Sequence, residues 1–421
     1  MILRENHSNE LIELPFTKIF FKLAIPNLYS TLIAAVTVIF DLWYIGQIGI
    51  SELAGVAYIF PIYMLTSMLS NGAFGGAISG AIARAFGSKN FFQAECVFRS
   101  AILIACFGSL IMMFIFFLLA EPFFTYFKVN KEVAISALSY GNFLLGGIFL
   151  IWLFNIIIAV TRGSGNTLIP AYSWSIVLFV HIIVASMNFN FENGTIVLIN
   201  NVNFFDKFFI FSSIQWSVVS LLSGYFIGIL FVLVFYYFGN HSFSFNLRDI
   251  FKLNGIVKLL KSGSLASCQS LMTIALALFC TTVISIFGTN WTAGFGIAIR
   301  LELLLIPIIF GIGGALIAIV GANVGAKKFS RAISMTWKGT FFSVCIVGFI
   351  GLFFSVYPDL WSSFFTDNAE IKEKSKLYLK VVDPPMPQKI IFFLCSGGNF
   401  EATIPIIMAL SPAKIKSINI I

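Results

Sequence analysis

Asp41 is the residue of this chain best placed to do chemistry. It stands in the run Phe40-Asp41-Leu42-Trp43-Tyr44-Ile45, where its neighbours are apolar or aromatic. An ionisable group inside such a run is costly to keep and marks a functional position by default. Apolar surroundings disfavour a charge, so this carboxyl could load and release a proton as its setting changes. The competing reading is an interfacial Asp near a helix end, in contact with water. Pro26 lies earlier in the same stretch. It lacks an N–H and its ring crowds the preceding turn, which permits a bend; a static kink is the alternative.

Asn155 and His181 occupy separate apolar stretches and could complete a polar cluster with Asp41. Against this stand interhelical hydrogen bonding for Asn155 and a packed, hydrogen-bonded imidazole for His181. Arg300 and Glu302 are two positions apart, so on a helix they face different ways and make a poor mutual pair. Each is expected to pair with another helix or to reach a cleft, with Glu302 a candidate cation site. Asp383 would be a tempting partner, but Asp383-Pro384-Pro385-Met386-Pro387 breaks the helical pattern around it. No Walker loop, HExxH or Ser–His–Asp set is found, and three His leave little for metal catalysis. The chain reads as no enzyme.

These residues need long apolar elements to hold them. The 421 residues are 59% hydrophobic and 10% charged, with a mean hydropathy of +0.96, which excludes a set of soluble domains. A span takes about 20 apolar residues. Ten stretches qualify, from Leu23–Ile45 and Leu53–Ala81 through Val133–Val160 to Phe341–Tyr357 and Leu377–Cys395. The net charge of +8 does not point to nucleic acid, because Lys and Arg crowd alternate connectors, as at Arg84, Lys89 and Arg162, and again from Arg248 to Lys261. That bias predicts a cytoplasmic N-terminus and the lipid bilayer as the main partner. The six Cys show no metal spacing. The segment from Asn188 to Ile210 reads as a long outward loop, and its Asn193-Gly194-Thr195 tripeptide matches a glycosylation signal that often arises by chance.

The stretches repeat. Gly75-Gly76-Ala77 returns as Gly313-Gly314-Ala315, and Gly87-Ser88-Lys89-Asn90-Phe91 returns as Gly325-Ala326-Lys327-Lys328-Phe329, both 238 positions on. An even number of spans per half makes the halves parallel repeats, an arrangement common in secondary transporters. Gly72, Gly75 and Gly76 with Gly311, Gly313 and Gly314 read as close-packing helix surfaces. The expected fold is all-α: a polytopic membrane protein of two parallel six-helix bundles in pseudo-twofold arrangement, the second incomplete. The expected boundaries are an N-terminal lobe at 14–239, a basic linker at 240–262 and a C-terminal lobe at 263–421.

Several stretches, in their order along this doubled frame, resemble the multidrug and toxic compound extrusion (MATE) family. They are Leu23-Ala24-Ile25-Pro26 with Phe40-Asp41-Leu42-Trp43, Arg162-Gly163-Ser164-Gly165-Asn166-Thr167, Ile299-Arg300-Leu301-Glu302 with Pro307, and Val320-Gly321-Ala322-Asn323-Val324-Gly325-Ala326. The resemblance covers roughly Leu14 to Tyr378. It implies an inner-membrane antiporter that exports drug-like, often cationic, organic compounds against a proton or sodium gradient. It implies no cofactor beyond that coupling ion, and a monomer is expected. Two departures stand out. The second carboxylate of one family branch falls at Ala185, with His181 one turn earlier in place of Asn. The acidic residue of the other branch is absent from Leu265–Phe287. Competing readings are a lipid-linked saccharide flippase of the related superfamily and a non-functional truncated transporter.

Overall fold

The computed structural model describes residues 9–192, 195–198, 201–204, 209–238, 255–366 and 368–382. The first half opens with α1, Phe16–Ile48, a 33-residue helix that carries both Pro26 and Asp41. Helix α2, Ile50–Ser67, runs through a π-helical stretch, Met68–Phe74, into α3, Gly75–Gly87. Helix α4 is Phe91–Tyr126, and α5 and α6 are Lys131–Gly146 and Ile148–Gly163. The Asn90 and Asn130 side chains accept from the Gln93 and Glu132 N–H groups and so cap α4 and α5. Helices α5 and α6 meet at a 48° bend, where Gly147 leaves room for the Leu222 side chain. Helix α7 is Leu168–Ser186 and α8 is Ser213–Phe238.

The second half consists of α9 (Ile256–Ser285), α10 (Thr289–Gly325), α11 (Phe329–Val356), α12 (Pro358–Phe365) and α13 (Ala369–Val382). Seven helices among the described residues are long and apolar enough to cross a membrane, or eight if the bent α5–α6 pair is one span. That is fewer than the ten stretches expected. Of the tenth, only the part up to Val382 is described; Asp383, its prolines and Cys395 lie outside the described residues. The expected linker also differs. Helix α9 begins at Ile256, behind Gly255 with φ 107°, so Lys258 and Lys261 belong to a helix.

The segment after α7 forms two β-hairpins rather than a bare loop. Strands β1 (Phe189–Glu192) and β2 (Thr195–Leu198) pair antiparallel, as do β3 (Asn201–Phe204) and β4 (Phe209–Ser212). Asn193 of the glycosylation tripeptide lies outside the described residues.

The sequence repeat is also a backbone repeat. Lys89 and Lys327, 238 positions apart, have φ of 56° and 59°. Their turns share one hydrogen-bond pattern: Ser88, Lys89 and Asn90 donate to Arg84, Phe86 and Ala85, while Ala326, Lys327 and Lys328 donate to Ala322, Val324 and Asn323. Both turns therefore close a helix by the same left-handed C-terminal geometry.

The largest apolar core lies inside the first lobe, with Tyr44, Ile59, Trp152, Phe154, Trp216 and Tyr225 among its buried side chains. Outward, α4 shows Phe107, Leu110, Ile111, Phe114 and Leu118 at helical spacing, a face suited to lipid. A second core joins the halves, packing Leu11, Ile19, Phe20 and Leu23 against Ile312, Ala315, Ile319 and Ala332. Two of the glycines expected to pack closely, Gly311 and Gly314, do so at this seam. A Cβ at Gly311 would strike Leu28, and one at Gly314 would strike the Asn27 amide.

Candidate functional site

Asp41 lies in the last third of α1 and is 5% exposed. Three other helices converge on its carboxylate. Tyr140 of α5 donates its hydroxyl to Oδ2 at 2.8 Å, and Ser217 of α8 donates to Oδ1. His181 of α7, fully buried, brings Nε2 to 3.5 Å from Oδ1. The other ring nitrogen, Nδ1, is 2.8 Å from the Ser220 hydroxyl on α8. Phe40 packs edge-on to the imidazole at 5.0 Å between ring centres. The wetted helix-end reading of Asp41 does not fit, because its oxygens are held by protein donors.

Beside the carboxylate is a narrow crevice lined by Val38, Asp41, Val56, Tyr63, Tyr140 and Leu221 among others. The Tyr63 and Tyr225 hydroxyls meet at 3.0 Å on its wall. Nearby, Asn188 donates to the Tyr44 hydroxyl at 2.8 Å, and the Trp216 indole donates to the Val184 carbonyl. These bonds tie α1, α7 and α8 together around the carboxylate.

The structure brings His181 to Asp41 but not Asn155. Asn155 is buried, but its amide donates to the Ser70 hydroxyl at 2.8 Å, away from Asp41. One face of α6 carries Asn155 and Arg162, which both reach the π-helical stretch; Arg162 donates to Asn71 Oδ1 at 2.7 Å. Spacing on a helix gives a face but not the neighbour that the face meets, hence the misplacement.

Of the two placements expected for Arg300, the structure shows contact with another helix. It is exposed, and its guanidinium lies 5.2 Å from the centre of the Phe365 ring of α12. Glu302 belongs to α10, but its side chain lies outside the described residues. Pro26 sits inside α1, which continues through it without a break. One residue on, Asn27 donates to the Gly311 carbonyl at 2.7 Å, and Thr31 donates to the Pro307 carbonyl at 2.8 Å. The first-helix proline thus borders the seam with α10.

Sequence reasoning missed Tyr140, Ser217 and Ser220. A signal existed for the serines, since Ser213, Ser217 and Ser220 form a polar stripe at helical spacing on an apolar helix. Tyr140 has no such signature. A second narrow crevice opens where the π-helical stretch faces α9 and α10, at Met68, Gly72, Gln269, Ser270, Thr273 and Phe310. Among the described residues, no group of three His, Cys, Asp or Glu could hold a metal ion.

Comparison with known proteins decides the family. The MatE family model matches residues 26–187 and 266–410, most of the chain and both halves of the repeat. The chain belongs to the MatE family. It is therefore a multi-pass membrane transporter of the multidrug and toxic compound type, built from two helical bundles. The MatE chain is similar to the FAD transporter of Shewanella oneidensis, at 22% identity over 88% of this chain and 79% of that one. It is 25% identical to the "Probable multidrug resistance protein NorM" of Oceanobacillus iheyensis, over 86% of this chain and 78% of that protein. Among solved structures it matches the outward-facing conformation of a multidrug resistance MATE family transporter of the MOP superfamily. The TM-score is 0.77, at 20% identity, over 95% of this chain and 86% of the other.

Proposed function

We propose that this MatE chain is a secondary-active antiporter that exports organic compounds, coupled to an ion bound at Asp41. The observation that carries this reading is the buried Asp41 carboxylate, gripped from α5 and α8 and open to a crevice. An ion that neutralises this carboxylate removes the charge that orients Tyr140 and Ser217, so α1 can shift against α5, α7 and α8. Pro26 lowers the resistance of α1 to bending. Movement of α1 carries Asn27 and Thr31 along, which grip α10, and so links the ion to the opening of the seam between lobes.

We place the N-terminus in the cytoplasm of a bacterial inner membrane. Lys328 and Arg331 donate to carbonyls of Ile12, Glu13 and Leu14, so the basic turn and the chain start share one end of the molecule. The excess of basic residues at that end supports this orientation.

The test is ethidium efflux from cells lacking their own pumps, comparing the chain with Asp41→Asn at equal membrane levels. Efflux that depends on the ion gradient and disappears in the variant is expected. Efflux that persists in Asp41→Asn with its ion dependence intact would sink the proposal. The relative described as an FAD transporter favours a second reading, export of a flavin dinucleotide. Vesicles carrying the protein and incubated with FAD would separate the two substrates.

A further inference from the structure

By sequence Arg162 belongs with the basic residues of the connectors, but in the structure its side chain turns inward. It stands in the last turn of α6, is 6% exposed, and donates to Asn71 Oδ1 at 2.7 Å. Its Nε atom is buried with no hydrogen-bond partner. Among the described residues no carboxylate pairs with it. The negative end of the α6 dipole eases its burial, yet the side chain it bonds is a neutral amide on the π-helical stretch. A buried cation without a counter-ion is expensive to hold. Inside a membrane bundle such a group marks a functional position, and so does a π-helical interruption.

The guanidinium meets the second lobe at Gly314. A Cβ there would lie 3.7 Å from Arg162 Nη1 and would collide with the Asn27 amide nitrogen. Two N–H groups of the first lobe, from α6 and α1, therefore converge on one bare stretch of α10 backbone. The Asn27 amide also donates to the Gly311 carbonyl across the seam. Parting α10 from α1 breaks that bond, so it frees the amide and uncovers the guanidinium in one movement.

The crevice between the lobes borders this point. Gly72, next to Asn71, and Phe310, next to Gly311, line it together with Gln269, Ser270 and Thr273. Its described lining offers hydroxyl and amide groups but no carboxylate, and α9 holds no Asp or Glu. An organic cation in that crevice finds no counter-charge on these walls, whereas an anion has Arg162 behind one of them. Asn27 and Asp41 are separated by about 21 Å of helix at 1.5 Å per residue, so this is not the Asp41 crevice.

We propose that Arg162, with Asn27, is an oxyanion subsite for the transported compound, which makes organic anions and zwitterions substrates of this chain. A carboxylate or phosphate group docks on the guanidinium as the seam opens and supplies the counter-charge that the closed seam lacks. Asn71 engages one guanidinium N–H, so others remain for a two-pronged grip on one oxyanion. The proposal rests on the export reading above and names a substrate class for it.

A carboxy-rhodamine dye and its methyl ester form a matched pair, since they share one cationic ring system and differ in the free carboxylate. Equilibrium binding to the full-length protein in detergent, read by fluorescence anisotropy, needs no ion gradient. The wild type should bind the free acid at least tenfold more tightly than the ester. Arg162→Gln should weaken the free acid at least tenfold and so erase the preference. Arg162→Lys keeps the charge without the planar fork; it should fold even where the glutamine variant does not, and should keep only part of the preference. Equal wild-type affinity for the two dyes overturns the subsite, as does no binding of the free acid. A preference that both variants leave intact overturns it too, and an equal loss of both dyes reduces Arg162 to scaffold. Efflux of the two dyes from proteoliposomes separates this from the reading of Asp41. Asp41→Asn should stop both dyes, whereas Arg162→Gln should raise the KM of the free acid. If Asp41→Asn leaves efflux of both intact while Arg162→Gln loses the free acid, the ion reading falls and the subsite stands. If Asp41→Asn stops both and Arg162→Gln treats them alike, the subsite alone falls.

Discussion

Gly87 and Gly325 close the two lobes against each other by reciprocal contacts. A Cβ on Gly87 would collide with the Ala322 carbonyl oxygen, and a Cβ on Gly325 would collide with the Arg84 carbonyl oxygen. Each glycine stands at the end of the matching helix in its own half, α3 or α10, just before the left-handed lysines. The pseudo-twofold axis therefore passes close to this pair. Such backbone-to-backbone contact leaves no slack for a side chain, and it seals the end of the molecule that carries the basic turns.

Substituting either glycine by Val should wedge that seal open. Spin labels at Asn90→Cys and Lys328→Cys, in a variant with its native cysteines replaced, should report a longer distance in Gly87→Val or Gly325→Val. Transport should fall at least tenfold while membrane levels hold. An unchanged label distance with normal transport would show that the contact is not needed for closure.

Asn155→Ala separates a scaffold residue from an ion-site residue. The Asn155 amide donates to Ser70, and Ser70 in turn donates to the Thr66 carbonyl in the last turn of α2. Losing one buried hydrogen bond costs about 1–3 kcal/mol. The variant should melt at a lower temperature in detergent yet keep the wild-type pH and ion dependence of transport. A changed ion dependence would return Asn155 to the Asp41 cluster.

Arg300→Gln should be mild. The guanidinium is exposed and lies over Phe365, and a cation–π contact at such a site is worth about 0.5–1 kcal/mol. Transport should stay within about twofold of wild type. A loss beyond about tenfold would mean that Arg300 meets substrate in a conformation other than this one.

The parts of the fold legible in the sequence were those governed by cost. Asp41 and His181 stood out because ionisable groups in apolar helices are expensive, and they do meet. The repeat was legible because both closing turns reuse Gly, a left-handed Lys and a following Phe, and the backbone returns the same φ at Lys89 and Lys327. What failed was the choice of partner. Tyr140 and Ser217 bond Asp41 from 99 and 176 positions away, and neither residue type is rare enough in a span to announce itself. Asn155 shows the converse: a conspicuous polar residue whose partner, Ser70, is an ordinary serine on a locally widened helix. The hairpins after α7 were hidden because their Asn and Phe content reads equally as loop.

Pro26→Ala tests whether α1 works as a lever. Alanine restores an N–H donor to the turn and removes the ring clash, a change worth about 3 kcal/mol in a helix interior. The helix should become stiffer, and the bonds from Asn27 to Gly311 and from Thr31 to Pro307 should then hold α10 in one position. The expected result is a higher melting temperature together with transport reduced at least tenfold and its ion dependence retained. Higher stability with full transport would mean that the proline only shapes a static kink, and that the seam opens by another route.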